Sequence, residues 1–401
     1  MLTHNLPSAT TSAHRYCTKL STRSLTQREA TLSIAAYIFQ AGPVTSPTTS
    51  QHHIAHLHAF RGFAILNVIG AHAWTSLMFR VGGYEMADSM RPLYSLIQTV
   101  FHDATLYFAV ISGLLFTKVL RGRPWASFYR AKLKNVILPY AVLSVFFLTA
   151  LWDWYVGYAA DNGLPTDYAT ALLRGLLLGQ TLPQFWYIPV LAVLFVITPV
   201  LDALIQHPQR RWLAVALVIL PLFISRTGMA NSVSVQTIIY FSGAYLCGML
   251  MGQHYEAVQA AITRNTLNLF LLVLASSAAL FVLYANGYKS SGWLSYTESL
   301  FYIQKLAITV LILHTFLCLE GGLPKLLHTL GDYAFAIYFL HLVFIFLLAQ
   351  LLVEPLRAHL HSGWMFAGGL LVMLGSTALT LGASAMLKRL LGRYSRMIIG
   401  S

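Results

Sequence analysis

Acidic residues are scarce in this chain. It holds 13 Asp and Glu among 401 residues against 26 Lys and Arg, and the four charged types together make up only 10% of it. A soluble globular domain usually carries about 25% charged residues. With 57% of its residues hydrophobic, the chain has more apolar surface than one soluble core can hide. That excludes an ordinary soluble domain and implies a polytopic membrane protein. Cysteine is equally sparse: Cys17, Cys247 and Cys318 lie far apart and form no metal or redox pair. Zinc-ligand spacings and a Gly-x-Ser-x-Gly turn are both missing. A metallohydrolase or serine hydrolase is therefore unsupported, and no metal site is expected.

What is present comes in long apolar runs. About 20 apolar residues are needed to cross roughly 30 Å of hydrocarbon. Ten runs qualify as candidates: 58–79, 94–117, 136–158, 185–205, 211–225, 236–252, 266–285, 299–319, 331–353 and 363–387. The fifth is short and contains Pro221. The stretch "ATALLRGLLLGQ" (169–180) reads as an interfacial or re-entrant helix leading into the fourth span. The expected fold class is an all-α polytopic membrane bundle of about ten transmembrane helices. Residues 1–53 differ, being rich in Ser and Thr and holding Arg15, Lys19, Arg23, Arg28 and a single acid, Glu29. They read as a disordered cytoplasmic tail, 54–390 as the transmembrane domain, and 391–401 as a basic cytoplasmic tail.

Basic residues are placed unevenly. The segment 118–134 holds Lys118, Arg121, Arg123, Arg130, Lys132 and Lys134 and no acid. The positive-inside rule puts it in the cytoplasm. The N-terminal tail, Arg210, Arg211, Arg264, Lys325, Lys388, Arg389, Arg393 and Arg396 then share that side. Arg80, Arg91, Arg226, Lys289 and Arg357 fall outside, where 153–167 carries Asp153, Asp161 and Asp167 and no base. Both termini are thus expected in the cytoplasm, with a bacterial inner membrane as the setting. The formal charge of +13 is accounted for without nucleic acid as a partner.

Some polar residues stand inside the runs, where a charged side chain costs at least a few kcal/mol and often marks a functional site. Arg61 and His72 both lie in "AFRGFAILNVIGAHAW" (59–74). Eleven residues at 100° each bring them within about 20° of one face, roughly 16 Å apart along the axis. That geometry suits a long substrate lying along the helix, with a cation at one end and a base at the other. The bland alternative is a snorkelling Arg61 and a His72 bonded to a neighbouring helix. Asp103 opens the second span and either orients His72 or caps a helix. His102 stands beside it, and Ser112–Gly113 suits close helix packing. Arg130, Lys132 and Lys134 at the mouth of span three read as a phosphate-binding patch or simply as topology signals. Lys305 and His314 suggest no partner in sequence. His341 is a further intramembrane imidazole, and Trp186–Tyr187 fits an interfacial aromatic belt or a sugar-stacking shelf.

Five stretches in order resemble the acyltransferase-3 family of integral membrane acyltransferases. They are "LHAFRGFAILNVIGAHAW", with an Arg-x10-His spacing, "FHDATLYFAVISGLLF", "FYRAKLKNVILPY", "FWYIPVLAVLFVITPVL" and "LGDYAFAIYFLHLVF". The likeness runs from about 54 to 390. It implies transfer of an acyl group, commonly acetyl, from cytoplasmic acyl-CoA to a hydroxyl of a carbohydrate or lipid-linked sugar. Acyl-CoA is then a cosubstrate, with no bound cofactor. The resemblance makes His72 the essential residue with Arg61 in support, and the basic run a site for the CoA side. Asp103 joins the catalytic group, while Trp186, Tyr187 and His341 become candidates for the acceptor.

The chemistry can be argued independently. Acyl transfer to a hydroxyl needs a base near neutrality, which an imidazole supplies, and stabilisation of an oxyanion. Direct attack by the hydroxyl on the thioester, with His72 as base, is the preferred route. An acyl-His intermediate is the rival. A different class, a proton-coupled solute transporter, also suits buried His, Arg and Lys. However, the two halves show no repeat, and no pair of broken helices is evident.

Overall fold

The computed structural model describes residues 55–228, 232–288, 292–319 and 322–401. The N-terminal tail and Lys289 lie outside the described residues. Among those described there is no β-strand. Among the described residues nine helical runs are long and apolar enough to cross a membrane. The chain is an all-α polytopic bundle.

The order begins with α1 (Ala55–Ser89), which kinks at Gly82 and Gly83. The second span is split into α2 (Arg91–Phe101) and α3 (Thr105–Leu115). Between them Asp103 takes φ 57°, a left-handed conformation that Asp tolerates better than most residues. A single π-helical turn, Phe116–Leu120, closes the span. Next come α4 (Trp125–Lys132), a second π turn (Leu133–Ile137) and α5 (Leu138–Ala150). The third span therefore starts about ten residues before the expected 136. Its basic run lies on the helix itself, because the π turn carries the backbone through it without a break.

Two short helices follow, α6 (Trp152–Asp161) and α7 (Tyr168–Leu178). The second is the short apolar helix expected at 169–180. Asp167 caps its start by accepting from the Thr170 amide at 2.9 Å. Left-handed Gly179 ends it. The remaining elements are α8 (Tyr187–Gln206), α9 (Arg211–Ile219), α10 (Val235–Gln253), α11 (Tyr255–Ala285), α12 (Tyr296–Cys318), α13 (Lys325–Asp332), α14 (Ala334–Ala358), α15 (Ser362–Leu391) and α16 (Ser395–Ile398).

Side-chain bonds mark the two ends of the bundle. At one end Arg121 Nε donates to Asp202 at 2.8 Å and Arg121 Nη1 to Gln253 at 3.2 Å. This end gathers the close of α3, α8 and α10 and is the basic one. At the other, Arg226 bonds Asp103 and contacts Glu298. The chain leaves the basic end after α8 and reaches Arg226 at the far end. Arg211–Phe223 covers that distance without being among the nine spans, and it is broken at Pro221 into α9 and a 3₁₀ turn, Leu220–Phe223. In lipid the carbonyls such a break frees must be satisfied internally. Here α12 does so: Tyr302 Oη donates to the Val218 carbonyl at 2.9 Å and Ser299 Oγ to that of Leu222 at 2.7 Å.

Two close crossings set the core. A Cβ on Gly113 would lie 1.9 Å from the Tyr245 carbonyl oxygen, and one on Gly248 would lie 2.0 Å from that of Val110. The Ser112–Gly113 pair thus lets α3 and α10 touch backbone to backbone. Gly62 and Gly331 do the same for α1 and α13: their Cβ atoms would strike the Leu327 and His58 carbonyls. This second crossing brings Asp332 to 3.2 Å from His58.

Candidate functional site

Helix α1 is wrapped by α13, α14 and α15, so its apolar positions are buried along most of its length. Arg61 and His72 are both half-buried, as are Phe63, Leu66 and Ala71 on the same helix. Both look at α14. The Arg61 guanidinium lies 5.8 Å from the Phe335 ring, and the His72 ring lies 5.3 Å from that of His341, tilted by 45°. The shared face read from the spacing is what the fold uses. Neither Arg61 nor His72 makes a hydrogen bond among the described contacts.

The basic run divides. Lys132 follows Phe128 by one helical turn and shares its inward face. Its Nζ lies 4.4 Å from the Phe195 ring and 5.4 Å from that of Phe128. It is near enough to Arg61 for the two cations to repel, while Asp332 attracts Arg61. Arg130 and Lys134, two residues to either side, are exposed at the same end. A half-buried pair of cations with a partial counter-charge is a reasonable cradle for an anion.

Beyond His72 the surroundings change from cationic to neutral. Tyr338 stands 6.2 Å from His341 and 6.5 Å from Tyr187, centroid to centroid. Trp186 and Tyr187 are 6% and 2% exposed and pack on Phe241 at 5.6 and 5.2 Å. They belong to the interior, which argues against the aromatic-belt reading. Tyr338 Oη donates to the Gln184 carbonyl, and Gln184 Nε2 donates to that of Phe339 at 3.2 Å. Three buried polar atoms in this group have no partner: Tyr187 Oη, Gln184 Oε1 and His341 Nε2. Buried polar atoms are seldom left unbonded.

Asp103 is placed differently from the expectation. Its carboxylate accepts from Arg226 Nη2 at 2.6 Å and from Tyr240 Oη at 2.9 Å. No described contact joins it to His72, and it caps no helix through its side chain. The reason is local: the left-handed turn at Asp103 aims the carboxylate at α10 and at the loop before it. Arg226 is wholly buried, with its guanidinium 3.7 Å from the Tyr240 ring, and its amide donates to Glu298 at 2.6 Å. Lys305, also fully buried, donates to the Val100 carbonyl at 2.7 Å. His102 lies against Phe301 at 4.7 Å, and His314 bonds Gln259 at 2.9 Å.

Arg226 and Glu298 escaped the sequence reading, which counted Arg226 among external loop charges. Their signal was there: one base beside a Pro-broken span, and two acids at the mouths of spans two and eight. Gln184 also escaped, because an amide in an apolar stretch looks unremarkable until its carbonyl is found buried and unbonded.

A family model described as an acyltransferase domain matches residues 54–388. Comparison with curated proteins and with solved structures finds no match for the chain.

Proposed function

The chain belongs to the acyltransferase-3 family, and from that premise we propose that it moves an acyl group, acetyl first among candidates, from cytoplasmic acyl-CoA to a hydroxyl of a carbohydrate or lipid-linked sugar. It is a membrane acyltransferase. The single observation that carries the finer reading is that Arg61 and His72 both face α14 and both keep accessible surface. A polyanionic donor fits the basic end. Arg61 and Lys132 would hold its phosphates, while exposed Arg130 and Lys134 raise its local concentration. The thioester would then reach His72 along the helix.

A neutral, hydroxyl-rich acceptor fits the other side of His72, where Trp186 and Tyr187 offer ring faces. Tyr187 Oη and Gln184 Oε1 are enclosed there without a hydrogen-bond partner, so an acceptor would bond them only once this group opens. In the step so arranged, His72 takes the hydroxyl proton as that oxygen attacks the thioester carbon. The new C–O bond forms, the C–S bond breaks, and the thiolate recovers the proton from His72. An orientation with the basic end in the cytoplasm brings the donor to the correct side.

Membranes containing the protein should transfer labelled acetyl from acetyl-CoA to surface glycan or to a lipid-linked sugar. His72→Ala, present in the membrane at normal levels, should abolish that transfer. Full transfer by His72→Ala removes His72 from the chemistry.

A further inference from the structure

We propose that His341 is the positioning residue for His72, a role that rests on the reading of His72 as the base. A catalytic imidazole needs one nitrogen held as N–H so that the other presents its lone pair. Asp103 does not supply that hold, since Arg226 and Tyr240 occupy its carboxylate.

His341 has the attributes required. Its Nδ1 lies 3.1 Å from the Ile337 carbonyl and 2.8 Å from the Tyr338 carbonyl. Carbonyl oxygens only accept, so Nδ1 carries the hydrogen, and Nε2 of the neutral ring is an acceptor. That Nε2 is buried and has no partner. His72 makes no described hydrogen bond, and its ring centre is 5.3 Å away. Nitrogens turned toward each other across that separation reach hydrogen-bond range, about 3 Å.

The division of labour follows from exposure. His341 is fully buried, with Nε2 enclosed, so a substrate cannot meet it directly. His72 keeps accessible surface and meets the substrate. When an N–H of His72 donates to His341 Nε2, the other His72 nitrogen is left as a lone pair on the accessible side. His341 neither gains nor loses a proton in the cycle. It accepts one hydrogen bond from neutral His72 and a stronger one from the imidazolium formed when the hydroxyl proton arrives.

The test uses the full-length protein in nanodiscs, with His341→Phe, which removes the acceptor nitrogen, and His341→Gln, whose amide oxygen restores an acceptor. His341→Phe should lower kcat about 10²- to 10⁴-fold, with KM for acetyl-CoA changed less than about twofold. His341→Gln should recover at least about tenfold of that loss. The ¹⁵N spectrum of His72, assigned by comparison with His72→Ala, should show one neutral tautomer in the unsubstituted protein. Unchanged kcat in His341→Phe overturns the proposal, as does an equal fall in both variants with raised KM. If His341→Phe does not fold, a mixture of His72 tautomers in the unsubstituted protein overturns it. His72→Ala run in parallel separates the two layers. Retained transfer there defeats the base assignment itself, whereas inactive His72→Ala beside fully active His341→Phe defeats only the positioning.

Discussion

Arg226 and Arg61 both reach into the bundle, and they are held in opposite ways. Arg226 has no accessible surface. Asp103 takes its guanidinium at 2.6 Å, Glu298 approaches at 3.5 Å, and the Tyr240 ring lies beneath it. Arg61 keeps accessible surface, has an aromatic ring at 5.8 Å, feels Asp332 and Lys132, and has no ion pair of its own among the described contacts. Burying a charge is tolerable only when it is paired and hydrogen-bonded. Arg226 is paired with Asp103 and Glu298 and bonded through Nη2, though its Nε and Nη1 make no hydrogen bond, and it joins the α2–α3 break, the loop before α10 and the start of α12. Arg61 does not meet that condition from the protein alone, which fits the proposed role of holding the donor's phosphates. The difference teaches that intramembrane charge has two uses here, one spent on architecture and one kept open.

The largest effect should come from breaking the closed side. Arg226→Met leaves the Asp103 and Glu298 carboxylates without their cation, and Asp103→Asn leaves Arg226 with Glu298 alone. Each should cost about 3–5 kcal/mol of stability, read as lost monodispersity and a lowered unfolding midpoint in detergent. The double variant should recover part of that loss. Stability equal to the unsubstituted protein in both single variants would erase the distinction between the two arginines.

On the open side the effect should fall on catalysis. Arg61→Ala should leave stability within about 1 kcal/mol, as for substitutions away from a satisfied network. It should lower kcat/KM for acyl-CoA about tenfold or more, the scale of a lost hydrogen bond to a charged group. Arg61→Lys should fall between, since it keeps the charge but not the planar fork. Steady-state kinetics at several donor concentrations would read this out.

The smallest effect sharpens the comparison within the basic run. Lys132→Ala should raise KM for acyl-CoA several-fold at any moderate salt, because the site is sheltered. Lys134→Ala should raise it only about twofold, and that difference should vanish as salt screens exposed charge. Equal salt dependence in the two variants would mean that Lys132 is no more inward than Lys134.

Much of this was legible in the chain. Long apolar runs and scarce acids required helices, and a 100° rotation per residue put Arg61 and His72 on one face. The Ser112–Gly113 pair announced a close crossing, which it makes with Gly248. Other features were out of reach because they depend on which helices become neighbours. The orienting partner of His72 was sought nearby in sequence, at Asp103. The ring that actually faces it, His341, is 269 positions further along. The fifth span could be doubted for its Pro221, but its completion by Tyr302 and Ser299 needed the packing of α12.

Sequence alone determined that this is a helical membrane protein, which segments cross, and which residues share a helix face. These follow from hydrophobic burial and backbone geometry, properties local to each segment. Tertiary structure decided which charges are neutralised and which stay open. It closed Asp103 onto Arg226, split Lys132 from Arg130 and Lys134, and set His341 against His72. Such pairings depend on the relative placement of helices distant in the chain, and no single segment encodes that placement.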